Sequence, residues 1–188
     1  MELEVYNPPR LFAGSETLRE EFDLPTNRKK ALAIYEKKAS NVIEPFLKDL
    51  ESQGAQVQAI IIDEDTTNKD MNEVLYSQKM GTQLFIASDW HKARDIFDEA
   101  VEAGFTEEEI QTYITGEKSR DVYCMKCFSL TEIGTEEEEI DCGHCGAGLE
   151  VGPFFSKIRK GYIGYPLPAK QVGLDTVELT VDDAPFQA

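Results

Sequence analysis

Cys124-Met-Lys-Cys127 and Cys142-Gly-His-Cys145 hold all four cysteines of this 188-residue chain, with fourteen residues between the two pairs. Two C-x-x-C pairs at that separation fit a tetrahedral metal site in which each pair supplies two thiolates from one tight turn. Gly143 and Gly146 let the second turn curl so that backbone N–H groups can point at sulfur. The spacing therefore predicts a ribbon closed by Cys124, Cys127, Cys142 and Cys145. Zinc is the expected ion, because a closed four-thiolate site suits a redox-inactive structural metal. Iron in a rubredoxin-like electron carrier uses the same ligands and stands as the alternative, as does a generic zinc-ribbon interaction module. His144 lies between two ligands and is expected to face solvent.

The start, Met-Glu-Leu-Glu, lacks the basic opening and apolar core of a signal peptide. The cytoplasm is therefore the expected compartment, where thiols stay reduced and paired disulfides are disfavoured. At 21.2 kDa the chain can hold one medium core plus a small module that a metal must stabilise. No apolar run approaches the roughly 20 residues that span a bilayer. Many ribbons bind nucleic acid through Lys and Arg, but the net charge here is -17. Between its cysteine pairs this ribbon carries Glu132, Glu136, Glu137, Glu138, Glu139 and Asp141 and no basic residue. Such a loop repels DNA and RNA and reads as a solvated hairpin tip.

Upstream, residues 1–29 contain Pro8-Pro9, Gly14 and Pro25 and show no sustained periodicity. From there the pattern changes. Ala31-Leu-Ala-Ile-Tyr35 reads as a buried strand, and Asn41 to Glu51 as a helix with Val42, Ile43, Phe46, Leu47 and Leu50 on one face. Pro45 fits that helix only in its first turn. Val57 to Ile62 is a second strand, Asp70 to Lys79 a second helix, and Gln83 to Ala87 a third strand. Ser88 is expected to cap a helix running to Ala103, with Gly104 as its stop and Ile110 to Ile114 as a fourth strand. Strands and helices alternating at this spacing predict an α/β fold, a small parallel sheet with helices on both faces.

Val42-Ile-Glu-Pro-Phe-Leu47, a helix, Gly54 and a strand resemble the first βαβ unit of the nicotinamide-binding domain of ferredoxin reductases. Leu84-Phe-Ile-Ala-Ser-Asp89 and Ala103-Gly-Phe-Thr-Glu-Glu-Glu-Ile110 resemble its last helix and strand, so the likeness covers about residues 31–115. The departures bear on function. A working domain has a glycine-rich turn after the first strand, where backbone meets pyrophosphate. This chain has Glu36-Lys-Lys-Ala-Ser-Asn41 there, with no glycine. Asp63-Glu64-Asp65 stands where a basic residue would meet the cofactor, and Ser88-Asp89-Trp90 replaces a Gly/Pro turn. A retained fold with no cofactor-binding residues is expected.

Beyond the ribbon, Val151 to Leu174 contains no acidic residue. Lys157, Arg159, Lys160 and Lys170 alternate there with Phe154, Phe155, Tyr162 and Tyr165, and Gly and Pro interrupt long regular structure. The composition predicts an extended arm that docks on a partner through Phe154, Phe155, Lys157, Arg159, Lys160, Tyr162 and Tyr165.

Val122-Tyr-Cys124, Cys142-Gly-His-Cys-Gly146, Leu149-Glu-Val151, Phe155-Ser156 and Gly161-Tyr-Ile-Gly-Tyr165 together resemble the small DmmA-type subunit of bacterial dimethylamine monooxygenase. Members pair a degenerate reductase-like domain with a zinc ribbon and such a tail. One step departs, since Gly152-Pro153-Phe154 stands where a Ser-Asp-His-like step precedes Phe-Ser. The resemblance implies an accessory subunit, with no catalytic residues of its own, of an enzyme using NADPH and O2 to convert dimethylamine to methylamine and formaldehyde. Flavin, iron–sulfur and haem-type centres would sit on the oxygenase and reductase partner subunits. Four units follow: an N-terminal arm (1–29), the degenerate reductase-like domain (30–119), the ribbon (120–151) and the docking arm and tail (152–188).

Overall fold

The computed structural model describes residues 9–25, 29–63 and 68–168. Four parallel strands, β1 (Lys30–Glu36), β2 (Gln56–Ile62), β3 (Gln83–Ser88) and β4 (Ile110–Ile114), form one sheet in the order β2-β1-β3-β4. The near-continuous apolar run of β1 follows from burial on both faces, which a central parallel strand requires. On one face Ala31, Ala33, Tyr35 and Phe85 pack against Ile43, Leu47 and Leu50 of helix α1 (Ser40–Ser52). On the other, Leu32, Ile34, Leu84 and Ile86 pack against helices α2 (Asn68–Tyr76) and α3 (Trp90–Glu102), with Phe97 fully buried. The α/β fold with helices on both faces is the one expected from the pattern.

Three local expectations change. Pro45 is the sixth residue of α1, in its second turn, because a 3-10 turn (Lys37–Ala39) leads in and the helix starts at Ser40. Pro45 lies on the exposed side of the helix, as does Asn41, whose carbonyl it cannot bond. The cap of α3 is Asp89, whose carboxylate accepts the Lys92 N–H at 2.9 Å; Ser88 is the last residue of β3 and fully buried. The second helix ends at Tyr76, three residues early.

The described part of the N-terminal arm has no helix or named strand, yet it is a strap. Leu11 is buried in the larger core, Leu18 bridges Thr112 on β4, and Phe22 packs edge-on against Phe85. Residues 1–8 and 26–28 lie outside the described residues.

A second sheet follows, made of β5 (Ser119–Cys124), β6 (Leu130–Gly134), β7 (Glu139–Asp141), β8 (Gly148–Ser156) and β9 (Gly161–Pro166), in the order β6-β5-β9-β8-β7. Here the extended-arm expectation is corrected. Residues 151–166 turn back as β8 and β9, and β9 inserts beside β5 in the centre of the ribbon's sheet. Glycines make the insertion possible. A Cβ on Gly164 would lie 2.7 Å from Val122 Cγ1 and 2.9 Å from Leu149 Cδ1, and one on Gly161 2.8 Å from the Asp121 carbonyl. Lys170 and the tail 175–188 lie outside the described residues.

The sheets meet along a seam. Arg94 of α3 pairs with Asp121 of β5, Arg10 pairs with Asp98, and Phe12 stacks on Phe155 at 4.5 Å between centroids. No helix among the described residues is long and apolar enough to cross a membrane.

Candidate functional site

The two cysteine turns are built the same way. Cys124 ends β5, and its carbonyl accepts the Phe128 N–H at 2.8 Å; Cys142 follows β7, and its carbonyl accepts the Gly146 N–H at 2.8 Å. Phe128 and Gly146 occupy equivalent positions with φ of 66 and 65°. Each first cysteine also donates its own N–H to the residue just before the strand that follows, to Ser129 O at 2.9 Å and to Ala147 O at 2.8 Å. Glycine at position 146 was legible as a turn residue. Its counterpart Phe128 was not, because a left-handed phenylalanine carries no compositional signal.

These turns bring all four sulfurs within 4.8 Å of one another. The Cys124–Cys145 separation is 3.9 Å and the Cys127–Cys142 separation 3.6 Å. A tetrahedron with metal–sulfur bonds of about 2.3 Å has edges of about 3.8 Å. The set therefore fits a four-thiolate ion, and the cluster could bind one. Cys124 and Cys142 are buried, while Cys127 and Cys145 lie toward the surface. As free thiols Cys127, Cys142 and Cys145 would not titrate together. N–H groups of Cys145 and His144 face the Cys142 sulfur and lower it to about 6. The Ser129 hydroxyl and N–H lower Cys127. Cys145 receives the Ala147 N–H, but burial and the three neighbouring sulfurs outweigh it and push that thiol up to about 11. N–H donors aimed at sulfur stabilise thiolates, the ligand form a metal needs. His144 is exposed, as expected.

The second place to look is the carboxyl end of the parallel sheet. Helix α1 leaves β1 toward one face and α3 leaves β3 toward the other, so the crevice where such sheets take ligands opens between these two strand ends. Glu36 fills it. One carboxylate oxygen accepts Lys92 Nζ at 2.7 Å; the other accepts the Asp89 N–H at 2.8 Å and lies 2.9 Å from Lys38 Nζ. Burial alone would make this acid weaker. The bonds from Lys92, Lys38 and Asp89 reverse that and hold it down at about 2. Lys38, in the turn after β1, is thus already engaged by Glu36 and lies 3.6 Å from Asp89. Glu64 and Asp65 of the acidic run lie outside the described residues.

The basic and aromatic residues expected to touch a partner divide in two. Phe154 and Tyr165 are exposed, as are Lys157, Arg159 and Lys160 in the β8–β9 turn. Tyr162 is buried beside Val122 and Leu149, and Phe155 spends one ring face on Phe12. Tyr162 is a core residue and Phe155 a half-buried one packed against that core, both on the inner side of the sheet. Sequence reasoning missed Met125, Phe128, Leu130 and Ile158, all exposed. Phe128 and Arg159 flank Tyr123, and the Arg159 guanidinium lies 5.0 Å above the Tyr123 ring. Exposed apolar residues scattered through cysteine turns and hairpin tips follow no period, so only the fold collects them.

Fold and site define a two-part chain, a parallel α/β unit with a self-filled crevice joined to a ribbon that closes four thiols on one point. Residues 121–165 are similar to the family model described as Dimethylamine monooxygenase subunit DmmA-like, C-terminal domain. The matched residues run from within β5 to nearly the end of β9, so they cover the ribbon and the strands that share its sheet. No curated protein and no solved structure matches the chain.

Proposed function

We propose that this chain is an accessory subunit of a multisubunit, NADPH- and O2-dependent dimethylamine monooxygenase, in which it positions partner subunits and carries out no chemistry itself. The observation that carries this is the DmmA-like match lying over a sheet whose four thiols converge. Cys124, Cys127, Cys142 and Cys145 would hold a zinc ion, which closes the ribbon and supplies folding free energy. The crevice filled by Glu36 supports an α/β unit that has given up its dinucleotide, since Glu36 already engages Lys92, Lys38 and the Asp89 N–H, the donors a phosphate would need there. The exposed residues Phe154, Lys157, Arg159, Lys160 and Tyr165, joined by Phe128 and Leu130, are the partner-facing surface. Flavin, iron–sulfur and haem-type centres belong to the oxygenase and reductase subunits, and the assembly works in the cytoplasm.

The test is reconstitution. Affinity-purified chain is combined with candidate oxygenase and reductase subunits, and NADPH-dependent formaldehyde release from dimethylamine is measured with and without it. Activity that needs the chain, together with one zinc per chain and a colourless protein, supports the proposal. A red protein that bleaches on reduction assigns the thiols to an iron electron carrier, and a complex fully active without the chain removes the accessory role.

A further inference from the structure

The seam between the two sheets encloses a cavity of about 10 Å3, with Leu11 and Phe12 of the strap, Trp90 and Arg94 of α3, and Arg120 and Asp121 of β5 on its wall. Two of these residues carry buried N–H groups with no acceptor among the described residues, the Trp90 indole Nε1 and the Arg120 Nε. A buried donor without an acceptor costs stability, and buried polar groups are as a rule paired with protein or with ordered water.

Both groups are held in place. Trp90 is 3% exposed and packed in the larger core, with the Arg94 guanidinium 6.0 Å from its ring centre. The Arg120 guanidinium lies 5.2 Å from the centre of the Tyr162 ring, and one terminal nitrogen donates to Glu137 O. The polar side chains on the wall have other partners, since Asp121 pairs with Arg94 and the Ser119 hydroxyl bonds Glu132. A carboxylate still has room, because its two oxygens together accept about four hydrogen bonds.

We infer that this cavity binds one ordered water, which accepts the Trp90 indole N–H and the Arg120 Nε–H and donates to the Asp121 carboxylate. Size and chemistry select that occupant. One water needs about 10–15 Å3 and two to four polar partners, which this cavity supplies at the lower limit of volume. Two N–H donors and two guanidinium groups leave no place for a cation. A phosphate is too large, and the Asp121 carboxylate opposes chloride. An apolar filling would leave both donors unpaired. Trp90 opens α3, while Arg120 and Asp121 lie on the strand that ends at Cys124. The water therefore ties the parallel unit to the strand that carries the first thiol. The inference rests on neither the metal nor the amine.

Trp90 is the single tryptophan, so the 15N-labelled full-length chain gives one indole N–H resonance. Its contact with water is read from water-selective NOE and ROE spectra. A cross-peak of opposite sign in the two spectra is expected, the signature of a held water rather than of proton exchange. Arg120→Met keeps the stem and removes one donor to the water, and should speed exchange of the indole proton with solvent about fivefold. No cross-peak in the wild type, or one of equal sign in both spectra, overturns the inference. So does a saturable shift of the resonance with sodium chloride, which gives the cavity to an ion. An indole proton that exchanges at the wild-type rate in folded Arg120→Met also overturns it, and if that variant does not fold, the wild-type spectra decide alone.

Discussion

Replacing Glu36 by Gln isolates the group that fills the crevice. The change keeps size and shape while removing the charge that Lys38 and Lys92 both engage. A carboxyl that falls from 4.5 to about 2 on folding corresponds to about 3 kcal/mol of stability. Lys38 is 49% exposed and Lys92 38%, so solvent screens part of this, leaving an expected loss of about 2 kcal/mol at pH 7. Trp90, the single tryptophan, is buried at the start of α3 next to Asp89 and reports unfolding of this unit directly. Urea titrations of wild type and variant, followed by its fluorescence, give the difference. The sign with pH is fixed, since the folded value lies below the unfolded one. The contribution is complete above about pH 4.5 and disappears as pH falls toward 2. Acid release of a ribbon metal is common to both proteins and drops out of the comparison. Equal stability at pH 7, or a gap that persists undiminished at pH 2, would refute the reasoning.

Cys142→Ser should abolish stoichiometric metal binding, read by elemental analysis, and expose ribbon amides to exchange while residues 30–114 keep their protection. Gly164→Ala forces a methyl group against Val122 and Leu149 and should cost about 1–3 kcal/mol in chemical denaturation. Tyr162→Ala should destabilise by about 2–4 kcal/mol because the ring is buried, whereas Phe154→Ala, 80% exposed, should change stability by less than about 0.5 kcal/mol and act only on partner binding in a pull-down. Phe12→Ala removes the ring stacked on Phe155 and should cost about 1 kcal/mol, visible as faster exchange along the Arg94–Asp121 seam.

The amino-acid order settled by itself everything that rests on period and spacing. Four parallel strands, three helices and the cysteine cluster were legible because burial on both faces makes apolar runs, amphipathic helices repeat every 3.6 residues, and a thiolate turn needs C-x-x-C. Tertiary structure decided what depends on meetings between distant segments. Only folding brings β9 beside β5, which turns Tyr162 from an expected partner contact into core and makes Gly161 and Gly164 necessary. Glu36 gave no sign of its role until Lys92, fifty-six positions away, arrived from α3. Local patterns record how a segment is solvated, while the identity of its neighbour is set by the path of the whole chain.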